Sequence, residues 1–561
     1  MIPPHPPLWL PILLLFLTST VSNSAGTPNI LFILTDDQSG AFQDYDAKHM
    51  PKLSKLITTQ GLTIPHAFAT TPVCCPSRSS IYTGRYIHNL GVHNNSAGSG
   101  GCASQAFAEG PERENVAYLM KEMGGYSTHF AGKYLNNYGY GGAGTGVQNT
   151  PQCANSTFAR ENAGMDNACS VSLSHVPRGW DSWFALQGNS VYYNYSLSAN
   201  GVEEKHGDDY AADYFIDVVK NRTAEFMREH LEGANDTPFF AVASVPAAHE
   251  PADPAPQHAS YAAGLVAPRT PNYNTVFDDG RHFMASDAVA AGFNESVASF
   301  VDTLYRRRLA VLQSVDDMIE EFVELLVAHE QLENTYIVYT SDNGYHLGQF
   351  GIPIDKRQPY ESDVQVPFFV RGPGIASNAT LKEGFVTNID LAPTFLGMAG
   401  IDGDAILRQG FDGVDMTPIV TEKAANERTE FLIEYYGEML DNCAPYLEND
   451  FPEREFEMFD GLQCGMRGPG SFVTAPLWND AFEFGSVQDS WNNTYDCIRT
   501  IDDSKGVDYQ YCEFISGEVE AFDLVKDPYQ MRNLGASLGL EEAGGLSKRL
   551  RRLKGCKGSG C

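Results

Sequence analysis

Three stretches of this chain carry residues that can do chemistry together. TPVCCPSRSSIYTGR, residues 71–85, holds the neighbours Cys74 and Cys75, with Arg78 four residues beyond Cys74. TDDQSG sets Asp36 beside Asp37, and TSDNGYH sets Asp342 beside Asn343. Three carboxylates and one amide offer only oxygen donors, a set that suits a hard divalent cation. Alone, paired acids after a strand also serve as helix caps or surface turns. Further candidates are Lys133 in GKYLNNYG, His249 in PAAHEP and Lys356 in PIDKRQPYE. His249 is of the residue type most often used as a general acid. If a helix starts near Pro76, Arg78 falls in its first turn and can fold back to position 74.

These residues need a frame. Asn29 to Thr35, NILFILT, is an apolar run read as a buried strand that ends at Asp36. Similar runs end near Lys133, span Phe239 to Val245 before His249, and span Tyr336 to Thr340 before Asp342. Leu312, Val315, Ile319, Phe322 and Leu326 follow helical spacing and predict one buried face of a long helix. Strands alternating with helices predict an α/β sheet covered on both faces. Sites in such sheets form past the carboxyl ends of the strands, so Asp36, Asp37, Lys133, His249, Asp342 and Asn343 are expected to converge. The stretches 139–165 and 246–275 read as long loops that shape a pocket. The expected layout is a signal peptide over 1–24, a catalytic domain over 27–430, a smaller α+β domain over 431–545 and a basic tail over 546–561. Within the smaller domain, Glu518 to Leu534 reads as a strand, an Asp527-Pro528 turn and a helix start.

The formal charge, 38 − 71 = −33, argues against nucleic acid, since phosphate binding needs a basic face. It leaves room for a small anion in a local cationic pocket, because charges are screened over about 8 Å at physiological salt. Leu8 to Leu17 is apolar and of signal-peptide length, too short for a membrane span of ~20 residues. Asn-x-Ser/Thr sites at Asn94, Asn155, Asn194, Asn221, Asn235, Asn294, Asn378 and Asn492 fit an exported chain. So do the 11 cysteines, an odd number that leaves at least one with work other than pairing. Cys153 with Cys169 and Cys497 with Cys512 are candidate local bridges.

CCPSRSSIYTGR matches the sulfatase signature Cys-x-Pro-Ser-Arg followed by Thr-Gly-Arg. TDDQ, GKYLNNYG, PAAHEP, SDNGYHLGQFGIPIDKRQPYE and EAFDLVKDPYQMRNL are similar to family blocks in the same order, over roughly 28–535. The chain therefore resembles the formylglycine-dependent sulfatases, in particular their N-acetylglucosamine-6-sulfatase branch, to which algal-type arylsulfatases are also similar. The resemblance implies an alkaline-phosphatase-like fold: a large mixed sheet sandwiched by helices, with a smaller C-terminal α+β domain. It implies that Cys74 is oxidised to formylglycine by a formylglycine-generating enzyme during export, which leaves ten cysteines to pair. It implies one calcium ion, with magnesium the alternative, held by Asp36, Asp37, Asp342, Asn343 and an oxygen of the modified Cys74. A hydroxyl of the hydrated aldehyde attacks sulfur and expels the alcohol, and the second hydroxyl then collapses to release sulfate. A serine lacks that second hydroxyl, so Cys74→Ser is expected to trap a sulfated enzyme. Lys133 and Lys356 neutralise the sulfate, Arg78 serves position 74, and His249 or a lysine protonates the leaving oxygen.

The resemblance further implies a sulfated carbohydrate as substrate, 6-sulfated glucosamine units first, in a lysosomal or extracellular setting. Alternatives are an arylsulfatase or algal polysaccharide sulfatase, a phosphate or phosphonate ester hydrolase, and a noncatalytic carbohydrate-binding protein. One departure bears on the acid: where several family members carry histidine two positions past the active lysine, this chain has Leu135. His88 and His346 stand outside the catalytic set.

Overall fold

In the computed structural model, residues 26–42, 45–97, 100–141, 170–233, 237–282, 292–421, 428–437 and 493–561 are described. The signal peptide, Asn155, Asn235, Asn492, Cys153, Cys169, Cys443 and Cys464 lie outside them.

Every residue of β1 (Asn29–Thr35) is buried. Ile30, Phe32 and Leu34 enter one core and Leu31 and Ile33 the other. Side chains alternate across a strand, so an unbroken apolar run belongs in the middle of a covered sheet. Next come β2 (Leu62–Thr63), β3 (Ala67–Phe68), β4 (Ser127–Gly132), β5 (Ser182–Leu186), β6 (Ser196–Ala199), β7 (Val202–Lys205) and β8 (Phe239–Ser244). They are followed by β9 (Thr335–Ser341), β10 (Phe368–Arg371), β11 (Ala379–Thr380) and β12 (Val386–Thr387). Ten of these form one sheet in the order β11-β2-β10-β9-β1-β8-β4-β5-β6-β7. Its centre, β9-β1-β8-β4-β5, is parallel, and antiparallel strands flank it on both sides. Strands β3 and β12 pair separately.

Helices cover both faces. On one side lie α1 (Pro51–Leu56), α4 (Phe215–Glu232) and α5 (Glu295–Ala328). On the other lie α2 (Cys74–Thr83), α3 (Val116–Gly124) and α6 (Leu391–Met398). The predicted face of Leu312, Val315, Ile319, Phe322 and Leu326 is buried on α5, which begins earlier than the periodic run. Asn294 starts it, its side chain accepting from the Val297 amide.

A second, four-stranded antiparallel sheet orders β13 (Glu430–Tyr435), β14 (Tyr495–Asp502), β15 (Val507–Phe514) and β16 (Val519–Asp523) consecutively. The expected Cys497–Cys512 bridge links β14 to β15. Three features differ from expectation. The basic segment 546–561 is not a loose tail: α7 (Leu540–Lys554) buries Leu546, Leu550 and Leu553 against the small sheet, and Cys556–Cys561 closes the end. No helix starts between Pro528 and Leu534. The Asp527 carboxylate accepts from the amides of Met531 and Arg532 and holds a turn there. Asn94 is buried, its Oδ1 accepting from the Ser96 amide, so this sequon is not displayed at the surface as the exposed ones are.

Candidate active site

The register of the parallel strands assembles the site. Thr35 lies opposite Ser341, so the residues that follow, Asp36-Asp37 and Asp342-Asn343, leave the sheet side by side. Gly132 lies opposite Ser244, which brings Lys133 and the loop to His249 to the same edge. Cys74 is the first residue of α2 and points into this edge. Its Sγ lies 3.6 Å from Asp36 Oδ1 and 3.9 Å from Asp37 Oδ1. Cys75 instead bridges to Cys102, and Cys74 is the free cysteine among the described residues.

All four proposed cation ligands are fully buried. Oxygens of Asp36, Asp37 and Asp342 lie within 4.8 Å of one another. At that separation each carboxylate pair repels by roughly 3–4 kcal/mol at an effective dielectric of 20. Counter-charges packed against them offset this. Lys133 Nζ donates to Asp36 Oδ2 at 2.6 Å, and Lys356 Nζ to Asp37 Oδ2 at 2.6 Å. Arg78 donates through Nε to Asp342 Oδ2 at 2.7 Å and through Nη1 to the Lys133 carbonyl and Ser244 Oγ. Arg78 thus clamps three strand ends, where the sequence reading aimed it at position 74. Burial drives Asp36 up, but Lys133, Arg78, His249 and Lys356 hold it well below the ordinary carboxylate range. Burial and the charge of Asp36 push Asp342 up to about 6 against Arg78 and Lys133. The residues fit a divalent ion. Asn343 donates to Asp37 Oδ1 at 2.7 Å, while its own Oδ1 is buried with no hydrogen-bond partner, an oxygen free for a hard cation.

His249 completes the ring. Its Nδ1 lies 2.7 Å from the Glu250 carbonyl, which can only accept, so Nδ1 carries a proton. Its Nε2 then faces the centre, 3.7 Å from Asp37 Oδ2. His346 pairs with Asp363, His88 with Glu434, and Leu135 is core, so none enters the set.

Four neighbours escaped the sequence reading. Ser190 Oγ donates to Asp36 Oδ2 at 2.5 Å. Glu250 carries an oxygen within 4.8 Å of Asp37 and His249, and the Tyr345 hydroxyl donates to its Oε1. Arg308, on α5 and 1% exposed, donates to the carbonyls of Asp37 and Ala248 and stacks over Tyr345 at 4.1 Å. A signal for Arg308 existed: it is a charge on the buried phase of the helix, one turn from Leu304 and from Leu312.

The large mixed sheet between helices, with the small antiparallel sheet beside it, is the alkaline-phosphatase-like fold, and its buried acids lie at the carboxyl ends of the parallel strands. The family profile described as Sulfatase matches residues 28–401, and the chain belongs to that family of sulfuric ester hydrolases. It is 37% identical to N-acetylglucosamine-6-sulfatase of Homo sapiens, over 100% of this chain and 91% of that one. It is 27% identical to an arylsulfatase of Chlamydomonas reinhardtii, over 97% of this chain and 77% of that one. Among solved structures, a complex with D-glucosamine-2-N,6-O-disulfate superposes with a TM-score of 0.62 at 20% identity, covering 94% of this chain and 97% of the other. A phosphonate monoester hydrolase of Agrobacterium radiobacter shares the fold with a TM-score of 0.55 at 17% identity, covering 94% and 95%. Sulfatases use a formylglycine and a divalent metal ion, and the Asp36, Asp37 and Asp342 cluster offers a place for the latter.

Proposed function

We propose that this chain hydrolyses the 6-sulfate ester of N-acetylglucosamine units in sulfated glycosaminoglycans, with Cys74 converted to formylglycine and one calcium ion bound. The state of Cys74 carries the reading. It is fully buried and unpaired at the start of α2, where the acids, lysines and Arg78 converge. Burial, against the pull of Lys133 and Lys356, drives its thiol pKa far upward, so it is no thiolate nucleophile. A cysteine so placed is inert as a thiol and useful once oxidised. As formylglycine, position 74 supplies a hydrated aldehyde whose hydroxyl attacks sulfur. A hard cation held by Asp36, Asp37, Asp342 and Asn343 supplies Lewis-acid polarisation of the sulfate.

The chain's own residues do the rest. Lys133 and Lys356 bring ammonium groups to either side of the acid pair, where they meet the outer sulfate oxygens. Arg78 fixes the ends of β4, β8 and β9 in one arrangement. His249 holds a proton on Nε2 when cationic and passes it to the departing sugar oxygen. Relatives in Homo sapiens and Capra hircus bear the name N-acetylglucosamine-6-sulfatase, and a structural neighbour binds a 6-sulfated glucosamine. They support the choice of sugar. The apolar leader, the exposed sequons at Asn194, Asn221 and Asn378, and these relatives support a secretory route to the lysosome or the exterior. Among the described residues no helix is long and apolar enough to cross a membrane.

Mass spectrometry of the tryptic peptide containing residue 74 tests the chemistry: an unmodified thiol in active protein refutes it. Turnover of nitrophenyl sulfate without turnover of 6-sulfated N-acetylglucosamine refutes the substrate.

A further inference from the structure

A cavity of about 370 Å³ lies away from the catalytic centre, walled by Arg85, Arg113, Arg178, Glu114 and Tyr118. Its charge is unusual for this molecule. Three guanidinium groups face one carboxylate, on a chain whose net charge is −33. The Arg178 guanidinium carbon sits 3.9 Å from the centre of the Tyr118 ring, a cation–π contact. Arg85 is anchored by Glu114 at 3.2 Å and the Gln409 carbonyl at 3.1 Å, while its Nε is buried without an acceptor. Arg113 and Arg178 are exposed and pair with no carboxylate among the described residues. Unpaired, pre-oriented guanidinium groups around a concave wall bind planar or tetrahedral oxyanions, because the fork of N–H donors matches their oxygens. A volume of this size is in the range of ligand clefts.

One hydrogen bond links the segment that lines the cavity to the strand end at Lys133. Glu112, next to Arg113, accepts from the Tyr134 hydroxyl at 2.8 Å, and Tyr134 follows Lys133. Cys74 opens α2 and Arg85 lies just beyond its other end, so the two sites are roughly 15 Å apart along the helix axis. That span exceeds one sugar, so the cavity is separate from the pocket that holds the scissile ester.

We propose that this cavity is a second binding site for a sulfated glycan chain, engaging a sulfate or carboxylate of a sugar other than the one being hydrolysed. The ligand class rests on the proposed function; the location rests on the arginines alone. The test uses full-length protein and the double variant R113E/R178E, with R113K/R178K as the charge-preserving control. Titration with a heparin-derived hexasaccharide should show binding weakened on the order of tenfold in R113E/R178E, a loss that fades in high salt, with R113K/R178K close to wild type. Activity on sulfated monosaccharide and on nitrophenyl sulfate should be unchanged, while kcat/KM on the polymer falls by a similar factor. Equal hexasaccharide affinity in wild type and R113E/R178E overturns the proposal, as does an unchanged kcat/KM of R113E/R178E on the polymer. Wild-type inactivity on every 6-sulfated glucosamine overturns the substrate reading instead, and the binding titration still decides the cavity.

Discussion

Arg308 offers the sharpest test of how the cation centre is held. It is buried on α5, has no carboxylate partner among the hydrogen bonds and ion pairs described, and spends its donors on the main-chain oxygens of Asp37 and Ala248. Asp37 sits at φ 64, a left-handed conformation that costs a non-glycine residue roughly 1–2 kcal/mol. The guanidinium fork holds that backbone and so aims the Asp37 carboxylate at Asn343 and Lys356. Arg308→Met would also remove a positive charge near the cation, and the two effects would oppose each other. Arg308→Lys keeps the charge, yet its single ammonium cannot span both carbonyls. A hydrogen bond from a charged donor is worth about 1.5–3 kcal/mol. Losing one should weaken the cation by roughly 10–100-fold, the range found when an outer partner of a metal ligand is removed. The assay is calorimetric titration of calcium into chelator-stripped protein, with circular dichroism to verify the fold and activity followed against calcium concentration. Activity should recover in excess calcium. A folded Arg308→Lys protein that binds calcium as tightly as wild type would refute the reasoning.

Cys74→Ser should release one equivalent of alcohol and stop, with sulfate covalently retained on the protein; continued turnover would show that the second hydroxyl at position 74 is dispensable. His249→Ala should slow hydrolysis of a sugar sulfate by about 10²–10⁴-fold and of nitrophenyl sulfate much less, because a phenolate leaves without a proton; equal losses on both would remove His249 as the acid. Glu520 on β16 is buried, accepts from the His282 amide at 2.7 Å and from the Tyr360 hydroxyl at 3.3 Å, and burial pushes it up to about 7 from its ordinary 4.5 despite Arg281. A raised folded pKa favours the folded state below pH 4.5, and that advantage is lost as pH rises through 7. The difference amounts to at most about 3 kcal/mol. Glu520→Gln should flatten this slope in urea unfolding between pH 4.5 and 7.5, and an unchanged slope would exclude Glu520 as its source.

The convergence of the candidate residues was legible where a member closes an apolar run. Asp36, Lys133 and Asp342 each follow a strand directly, and a parallel register turns that local fact into a shared edge. Cys74 and Arg78 were legible as a motif, but the work of Arg78 was not. A guanidinium can reach in several directions, and only the packed ends of β4, β8 and β9 decide which acceptors it meets. Ser190 and Glu250 come from irregular segments, where no periodicity says which side chain turns inward. The basic run after residue 546 reads as a helix tip and a flexible tail, and its packing was not legible. Its charges masked Leu546, Leu550 and Leu553, whose spacing is that of a helix face, and Arg549, Arg552 and Lys554 pair with Glu430 and Asp496 on the small sheet.

The position of β1 has a consequence in time. It leaves the ribosome before every other strand described, yet in the finished sheet it lies between two strands that begin at residues 239 and 335. At a synthesis rate of about 5–20 residues per second, roughly 15–60 s pass before the second neighbour exists. Until β8 is made NILFILT is an oily ribbon with both edges open, and one edge stays open until β9 follows. The acid centre, needing residues 36 and 342 together, cannot form until more than half of the chain has been made.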